Sequence, residues 1–402
     1  MSMPRPRLAI RLAVLFALSL AFFNSPGRAD AVTGLTPISD MGASTYLGFG
    51  GGLYENGTNV PPTDHAATGA ARAAAVQPLD ASGNPSASGK IVLLSIGFSN
   101  TTQEWCSSSA GPPCNANSLM GQAAASASVN HSTLAIVNGA ASGQGASTWD
   151  ATTDTNYNRV RDTRLAPAGV TESQVQAIWL KMVIGPDPTV SLPSASADAY
   201  RLVTSLGNIV RTLKVRYPNL QMVFASSRIY GEFSASHPEP YAYESGFSVK
   251  WLIQAQIDQA RNGGIVVDPR AGDLNLATGA PWLAWGPYLW ADGTTPRSDG
   301  LTWVAGDFSD GTHPSTSGRT KVADMLMSFF LGSPFTQCWF GVSCAALPPS
   351  VGGIAEQPDP ASLPSARSAS GRSSTIPVAA AGVAFAAALA AAAAGWRKRH
   401  AR

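Results

Sequence analysis

The sequence predicts a three-layer α/β/α domain with a central parallel sheet. Short and almost wholly apolar runs alternate along the chain with longer segments of helical periodicity. Such runs are typical of strands buried on both faces, and their alternation with helices favours a parallel sheet covered on both sides. The predicted strands are 91–96, 134–137, 177–180, 222–225 and 265–267, and the predicted helices lie near 118–130, 196–216, 245–262 and 317–331.

The helix predicted over 196–216 has the clearest apolar face. Its apolar residues recur at intervals of three and four, which places them on one side of a helix. They are Ala199, Leu202, Val203, Leu206, Ile209, Val210 and Leu213. We expect this face to pack on the sheet.

The N-terminus has the pattern of a secretory signal peptide. Three arginines precede an apolar run from Leu12 to Phe23, and Ala29-Asp30-Ala31 supplies a small-x-small cleavage pattern. An uncleaved anchor helix is the alternative, but the shortness of the run favours cleavage. We predict a signal peptide over 1–31, so that the mature chain begins near Val32 and the protein is exported.

The C-terminus has the pattern of a membrane anchor on a stalk. Residues 345–372 are rich in Pro, Ser and Ala, which predicts a flexible stalk. Residues 373–396 carry no charge, which predicts a transmembrane segment, and the basic residues 397–402 would stay in the cytoplasm. This end resembles the C-terminal sorting tails of bacterial surface proteins, so the protein is expected at the cell surface or in the periplasm, anchored or later released.

The remaining body spans 32–344, and its first part, 32–88, is predicted to be an irregular lead-in because Gly, Ala, Pro, Ser and Asn dominate it.

Charged residues make up only 13% of the chain and the formal net charge is +2. The chain lacks the surplus of positive charge that binding to phosphate backbones requires, so nucleic acid is excluded as a partner. The oligomeric state is not predicted.

The four cysteines form two close pairs, Cys106 with Cys114 and Cys338 with Cys344. In an oxidising compartment each pair can close a local disulfide. A zinc site is the alternative, but neither pair has the C-x-x-C spacing. We predict two disulfides and no metal.

Three blocks of residues carry the chemistry. Ser99 directly follows the first predicted strand, the second strand leads into a glycine-containing loop, and Asp310 and His313 precede the last helix. Carboxyl ends of parallel strands meet at one sheet edge, where reactive groups gather. A serine needs a base to become nucleophilic, and an aspartate three residues before a histidine can orient its ring. The blocks predict a Ser-His-Asp site.

In this order the blocks resemble those of the SGNH (GDSL-like) hydrolase family, whose fold is flavodoxin-like. The resemblance covers about 90–335 and rests on G-x-S-N at Ser99, on Asn138 with the glycines after it, and on D-x-x-H at Asp310 and His313. It implies that Ser99 is the nucleophile, His313 the base and Asp310 its orienting group. It also implies an oxyanion hole built from the Ser99 amide and the Gly143 amide, with Gly139 as second choice, and no cofactor.

The chain departs from that family in the third block, where G-x-N-D normally supplies an asparagine to the oxyanion hole. Val183 or Ile184 stands in its place. Loss of one such donor typically lowers the rate by about a hundredfold or more. Either Lys181 or Asn100 substitutes for it, or the activity is low, or the domain binds without turnover.

The loops after the fourth and fifth strands resemble those of a poorly characterised bacterial branch of the family and combine aromatic and polar residues. Such a mixture suits stacking on sugar rings, although the same aromatics could simply pack the loops onto the sheet. The residues predicted to contact substrate are Arg228, Tyr230, Tyr243, Glu244, Trp285 and Trp290.

The predicted function is that of an exported serine esterase that removes short acyl groups, acetyl first among them, from carbohydrate or a related polymer. Its partners would be the acylated carbohydrate, or another small ester, and the membrane that holds the C-terminal segment. A catalytically weak carbohydrate-binding module of the same fold is the alternative, and a structural envelope protein is a third. The chain has neither the G-x-S-x-G elbow of lipase-type hydrolases nor a phosphate-binding loop.

Overall fold

The structure is a computed structural model that describes residues 31–107, 111–185, 189–235 and 237–344. Residues 1–30 of the predicted signal peptide lie outside these residues, as do the predicted stalk, transmembrane segment and basic tail. Within the described part of the chain, no helix has both the length and the apolar character needed to cross a membrane.

A five-stranded parallel sheet forms the centre of the domain. Its strands are β3 (Ile91–Gly97), β4 (Leu134–Asn138), β5 (Val175–Lys181), β6 (Met222–Ser226) and β7 (Trp282–Trp285), and they follow the order β4-β3-β5-β6-β7. All residues of β3, β5, β6 and β7 are buried, as expected for strands covered on both faces. A separate antiparallel hairpin is formed by β1 (Thr45–Tyr46) and β2 (Phe49–Gly50). The predicted α/β/α fold class is confirmed.

Helices cover the sheet in two groups. Helix α5 (Asp198–Arg216) packs against α6 (Tyr241–Arg261), whereas α2 (Ser99–Cys106), α3 (Leu119–Ala125) and α7 (Thr316–Gly332) contact one another. The α-helices are α1 (Thr63–Ala74), α2 (Ser99–Cys106), α3 (Leu119–Ala125), α4 (Thr155–Val160), α5 (Asp198–Arg216), α6 (Tyr241–Arg261), α7 (Thr316–Gly332) and α8 (Gln337–Phe340). Short turns of 3-10 or π helix occur at Ile38–Asp40, Glu55–Gly57, Ala146–Thr148, Arg161–Leu165, Glu172–Gln174 and Ala305–Asp307. The seven apolar residues predicted on one face of α5 are all buried.

The strand predicted over 265–267 is wrong. These three residues follow α6 as an exposed turn, and Ile265 is 67% exposed. Gly263 and Gly264 both have positive φ and turn the chain out of the helix before this run. The fifth strand is instead β7, whose tryptophans pack in the core.

The lead-in predicted to be irregular is in fact an ordered part of the domain. It contains the β1–β2 hairpin and the twelve-residue helix α1. Lys250 on α6 donates hydrogen bonds to the carbonyl oxygens of Gly50, Gly51 and Gly52. Long-range contacts of this kind, rather than local sequence pattern, order the segment.

Both predicted disulfides are confirmed. Cys106 is bonded to Cys114 and Cys338 to Cys344, so each bond closes a local loop. Since all four sulfur atoms are used in this way, the alternative of a zinc site at these cysteines is ruled out.

Candidate active site

Ser99 lies where β3 passes into α2. The strand ends at Gly97, Phe98 is extended, and Ser99 is the first residue of the helix. A side chain at Gly97 would lie 2.2 Å from the carbonyl oxygen of Lys181, so only glycine allows the chain to leave the sheet this close to β5. The first amides of a helix have no hydrogen-bond partner within it, and the Ser99 amide is the first of them in this helix.

His313 and Asp310 complete a connected chain of hydrogen bonds with Ser99. The His313 Nε2 atom lies 2.9 Å from Ser99 Oγ, and Nδ1 lies 2.7 Å from Asp310 Oδ2. In the tautomer that fits both contacts, Nδ1–H donates to the carboxylate and the serine hydroxyl donates to Nε2. Partial burial opposes ionisation of Asp310, but hydrogen bonds from the backbone and ring of His313 and from the Thr312 amide lower its pKa to about 2.

Neighbouring loops hold the turn from Asp310 to His313 on two sides. Gly311 has a φ of +82°, and a side chain there would lie 2.1 Å from the carbonyl oxygen of Phe233. The Oγ atoms of Thr312 and Ser234 are 2.7 Å apart, and the Thr312 carbonyl oxygen accepts a hydrogen bond from Asn100. The position of the His313 ring is thus fixed by residues far away in sequence.

A cleft of about 400 Å³ opens beside Ser99 and His313. Its lining residues are Phe98, Ser99, Ser142, Gly143, Gln144, Gly145, Val183, Gly185, Arg228, His237, Thr312 and His313. They come from the carboxyl-terminal ends of β3, β4, β5 and β6 and from the turn before α7. This is the sheet edge at which the sequence predicted the reactive groups to gather.

The two glycines considered for the oxyanion hole lie in different places. Gly143 lines the cleft with a φ of +73°. Gly139 packs against the sheet, since a side chain there would lie 2.6 Å from the carbonyl oxygen of Ser95, and its own carbonyl oxygen accepts a hydrogen bond from Arg159. Gly143, the first choice, is therefore the glycine that lies near Ser99.

Neither residue considered as a substitute for the absent asparagine is available in the cleft. Lys181 is fully buried, and its Nζ atom lies 2.6 and 2.7 Å from the two carboxylate oxygens of Glu104. Burial raises the pKa of Glu104 and lowers that of Lys181, and the mutual attraction of the two groups opposes both shifts. Asn100 is also fully buried, and its amide donates to Thr312. The apolar Val183 lies at the cleft instead.

Of the six residues predicted to contact substrate, the structure places only Arg228 at this cleft. The other five are at most 1% exposed, and their polar atoms bind elsewhere in the domain: they are Tyr230, Tyr243, Glu244, Trp285 and Trp290. Three of them donate to backbone carbonyl oxygens of the lead-in or its edge, at Ala31, Thr36 and Leu53. The packing alternative is therefore the correct interpretation of these aromatic residues.

Sequence reasoning missed several groups around the cleft. Ser234 holds the histidine turn, His237 lines the cleft, and Glu104 neutralises Lys181 beneath it. A lysine at the end of an otherwise apolar strand was a signal for a buried acidic partner. Ser234 and His237 lie in a loop without any local pattern that would single them out.

No protein-family model matches the chain, and no curated protein matches it. Among solved structures, the chain is similar to an acetyl xylan esterase at 13% identity and a TM-score of 0.31, covering 59% of this chain and 98% of that one. It is similar to an extracellular lipase from Streptomyces rimosus at 15% identity and a TM-score of 0.25, covering 58% and 98%. A carbohydrate esterase family 2 enzyme from Corynascus thermopiles has 12% identity and a TM-score of 0.29, covering 60% of this chain and 65% of its own length. Likenesses this weak carry no inference about chemistry, which we therefore derive from the geometry of the site.

Proposed function

We propose that this protein is a serine esterase that forms an acyl intermediate on Ser99. The observation that carries the proposal is the unbroken chain from Ser99 Oγ through the His313 ring to the Asp310 carboxylate, with contacts of 2.9 and 2.7 Å. A neutral serine hydroxyl is a weak nucleophile, and an adjacent oriented imidazole is the group that activates it. The geometry supports acyl transfer better than any binding role.

In the acylation step, Ser99 Oγ attacks the ester carbonyl carbon while its proton moves to His313 Nε2. The tetrahedral intermediate collapses when the bond to the alcohol oxygen breaks, and His313 returns the proton to that leaving group. Water then attacks the acyl-Ser99 ester by the same route and releases the carboxylic acid. Asp310 stays ionised throughout and stabilises the charged ring, which its low pKa permits.

The developing oxyanion would be stabilised by the amides of Ser99 and Gly143. The Ser99 amide belongs to the first turn of α2, where the helix dipole adds positive potential. A well-placed donor of this kind contributes roughly 2.7 to 4 kcal/mol to the transition state. With Val183 in place of an asparagine, we expect a slower enzyme than one with three donors.

Short acyl groups and an exported location are the further parts of the proposal. The cleft has a volume of about 400 Å³, and Phe98 and Val183 give it an apolar wall on which the methyl group of an acetyl ester can pack. Two disulfides support export, because such bonds persist in oxidising compartments. The acylated partner in this proposal is a carbohydrate.

The test is hydrolysis of para-nitrophenyl acetate by the purified protein and its variants. Ser99→Ala and His313→Ala should each lower kcat by about a thousandfold or more, since the groups act as one unit. His131→Ala is the matched control, because this exposed histidine lies outside the cleft and should leave kcat unchanged. Equal rates in the wild type and in Ser99→Ala would refute the esterase.

The apolar Val183, at the position where the third block normally carries an asparagine, favours a second candidate, a binding module with little turnover. A fluorophosphonate probe distinguishes the two functions because it reacts only with an activated serine. Labelling of Ser99 in the folded wild type supports the esterase. Folded protein that stays unlabelled supports the binding module.

A further inference from the structure

Arg228 is an unusual residue of the cleft because its charge is buried without a partner. The side chain is only 3% exposed, and its Nε and Nη1 atoms are buried without any hydrogen bond. Within the described part of the chain no carboxylate forms an ion pair with it. Buried arginines are normally paired, since an uncompensated charge in a protein interior is strongly unfavourable.

The charges around Arg228 do not pair with it. Asp198 and Glu244 line a second small cavity with Arg228, but their carboxylates are hydrogen-bonded to other groups. Glu239 attracts the guanidinium, but its carboxylate oxygens accept hydrogen bonds from the Trp290 indole and from the amides of Gly231 and Tyr243. Lys181 repels it from beneath the cleft. The guanidinium therefore keeps unused donors, which a ligand can satisfy.

The surroundings of Arg228 in the cleft favour an anionic ligand. Among the described residues that line the cleft, no aspartate or glutamate is present, and the only other ionisable side chains are His237 and His313. Arg228 follows β6, two strands from β3, which carries Ser99, in the order β3-β5-β6. Neighbouring strands lie about 4.8 Å apart, so these two strands are separated by roughly 10 Å, and Arg228 and Ser99 line the same cleft.

We propose that Arg228 recognises a carboxylate that the substrate carries close to the scissile ester. A guanidinium pairs with a carboxylate through two parallel hydrogen bonds, which fixes orientation as well as charge. The substrates of this site are thus anionic esters. The inference rests on the proposed esterase function and narrows its substrate class. The carboxylate has two sources, the acyl group of a dicarboxylic hemiester or the alcohol, as in an acetylated uronic acid.

The experiment compares kcat/KM for matched pairs of esters. One pair is para-nitrophenyl hemisuccinate against para-nitrophenyl butyrate, which places the carboxylate on the acyl side. The other is an acetylated uronic acid against the same acetylated neutral sugar, which places it on the alcohol side. Wild-type protein should prefer the anionic member of one pair by about tenfold or more, and that pair identifies the source.

Variants assign the preference to Arg228. Arg228→Gln should lower the ratio of anionic to neutral kcat/KM by about tenfold, mainly through KM, and Arg228→Lys should retain part of it. Arg161→Gln, which changes an exposed arginine outside the cleft, is the control and should leave the ratio unchanged. If the wild-type protein does not prefer the anionic ester in either pair, the proposal is overturned. It is also overturned if Arg228→Gln lowers kcat/KM equally for the anionic and the neutral ester of each pair.

A binding measurement separates failure of this proposal from failure of the esterase. Calorimetry with the Ser99→Ala protein and succinate or a uronic acid tests recognition without turnover. If the Ser99→Ala protein binds succinate or the uronic acid and the Ser99→Ala/Arg228→Gln protein does not, the carboxylate site is supported even if no ester is hydrolysed. Ester hydrolysis together with no carboxylate binding and no anionic preference refutes only the role of Arg228.

Discussion

The side-chain amide of Asn100 donates a hydrogen bond to the carbonyl oxygen of Thr312, with a nitrogen–oxygen distance of 3.0 Å. This contact joins the residue after the candidate nucleophile to the residue before the candidate base, 212 positions later in the chain. It ties two segments that meet only in the folded protein. Its position suggests that it sets the distance between Ser99 and His313.

Asn100→Ala should lower kcat by about tenfold to a hundredfold while KM changes little, because a small displacement of His313 disturbs the transition state more than substrate binding. Steady-state kinetics with an aryl ester measure the split. Asn59→Ala is the control, since it removes hydrogen bonds of a similar kind within the lead-in. An unchanged kcat in Asn100→Ala would contradict the positioning role.

Gly311→Ala should lose both stability and activity. The backbone at Gly311 has a φ of +82°, and the added methyl group would meet the Phe233 carbonyl oxygen at 2.1 Å. Gly300→Ala is a close control, because its φ is +84° with open space around it. Each substitution should lower the free energy of unfolding by about 1 to 2 kcal/mol through its backbone conformation. Gly311→Ala alone should lose more free energy of unfolding than this and also show a reduced kcat. Equal effects of Gly311→Ala and Gly300→Ala on both quantities would refute the clash with Phe233.

Lys181→Met should destabilise the protein strongly, since it leaves the Glu104 carboxylate buried without its partner. The expected loss in the free energy of unfolding is about 3 to 5 kcal/mol, measured by urea denaturation. Glu104→Gln/Lys181→Met should recover a large part of that loss, because no charge is then left buried. If the double variant is no more stable than Lys181→Met, the ion pair does not explain the effect.

Glu244 should make stability depend on pH. Burial raises its pKa from 4.5 to about 7, against the opposing hydrogen bonds from the Leu192 amide and the Tyr46 hydroxyl. Because the folded state prefers the protonated form, the stabilisation is complete below about pH 4.5 and is lost as pH rises through about 7. Melting temperatures of wild type and Glu244→Gln should therefore agree near pH 4 and diverge toward pH 8, with the variant the more stable. If the two melting temperatures change in parallel with pH, the raised pKa of Glu244 is contradicted.

Several elements of the fold could be predicted from sequence because each carries its own local signal. The apolar strands at 91–97 and 175–181 and the amphipathic helix Asp198–Arg216 have periods that only one kind of structure satisfies. The exposed run at 265–267 shows the limit of this reasoning. Three β-branched residues have strand propensity, but whether they are paired depends on partners that local sequence does not name.

The aromatic residues near 230, 243, 285 and 290 show the same limit at the site. Their composition is equally suited to a sugar platform and to a packed core, and their hydrogen bonds decide for the core. Three of these bonds reach the carbonyl oxygens of Ala31, Thr36 and Leu53, and the Trp290 indole donates to Glu239. Helix α1 and the β1–β2 hairpin are held by other long-range hydrogen bonds, from the Trp282 indole to the His65 carbonyl oxygen and from Lys250 to the Gly50 carbonyl oxygen. No pattern within 32–88 could indicate them, because their stabilising partners lie about 200 residues away.

The sequence by itself determined the fold class, the two cysteine pairs and the identity of Ser99, Asp310 and His313 as candidates, since spacing and periodicity are local properties of the chain. Tertiary structure alone decided which side chains share the cleft. It buried Lys181 against Glu104, turned the amide of Asn100 toward the histidine turn, and left Arg228 without a partner. Burial and pairing of charge depend on which strands lie side by side, and that order is a property of the assembled sheet.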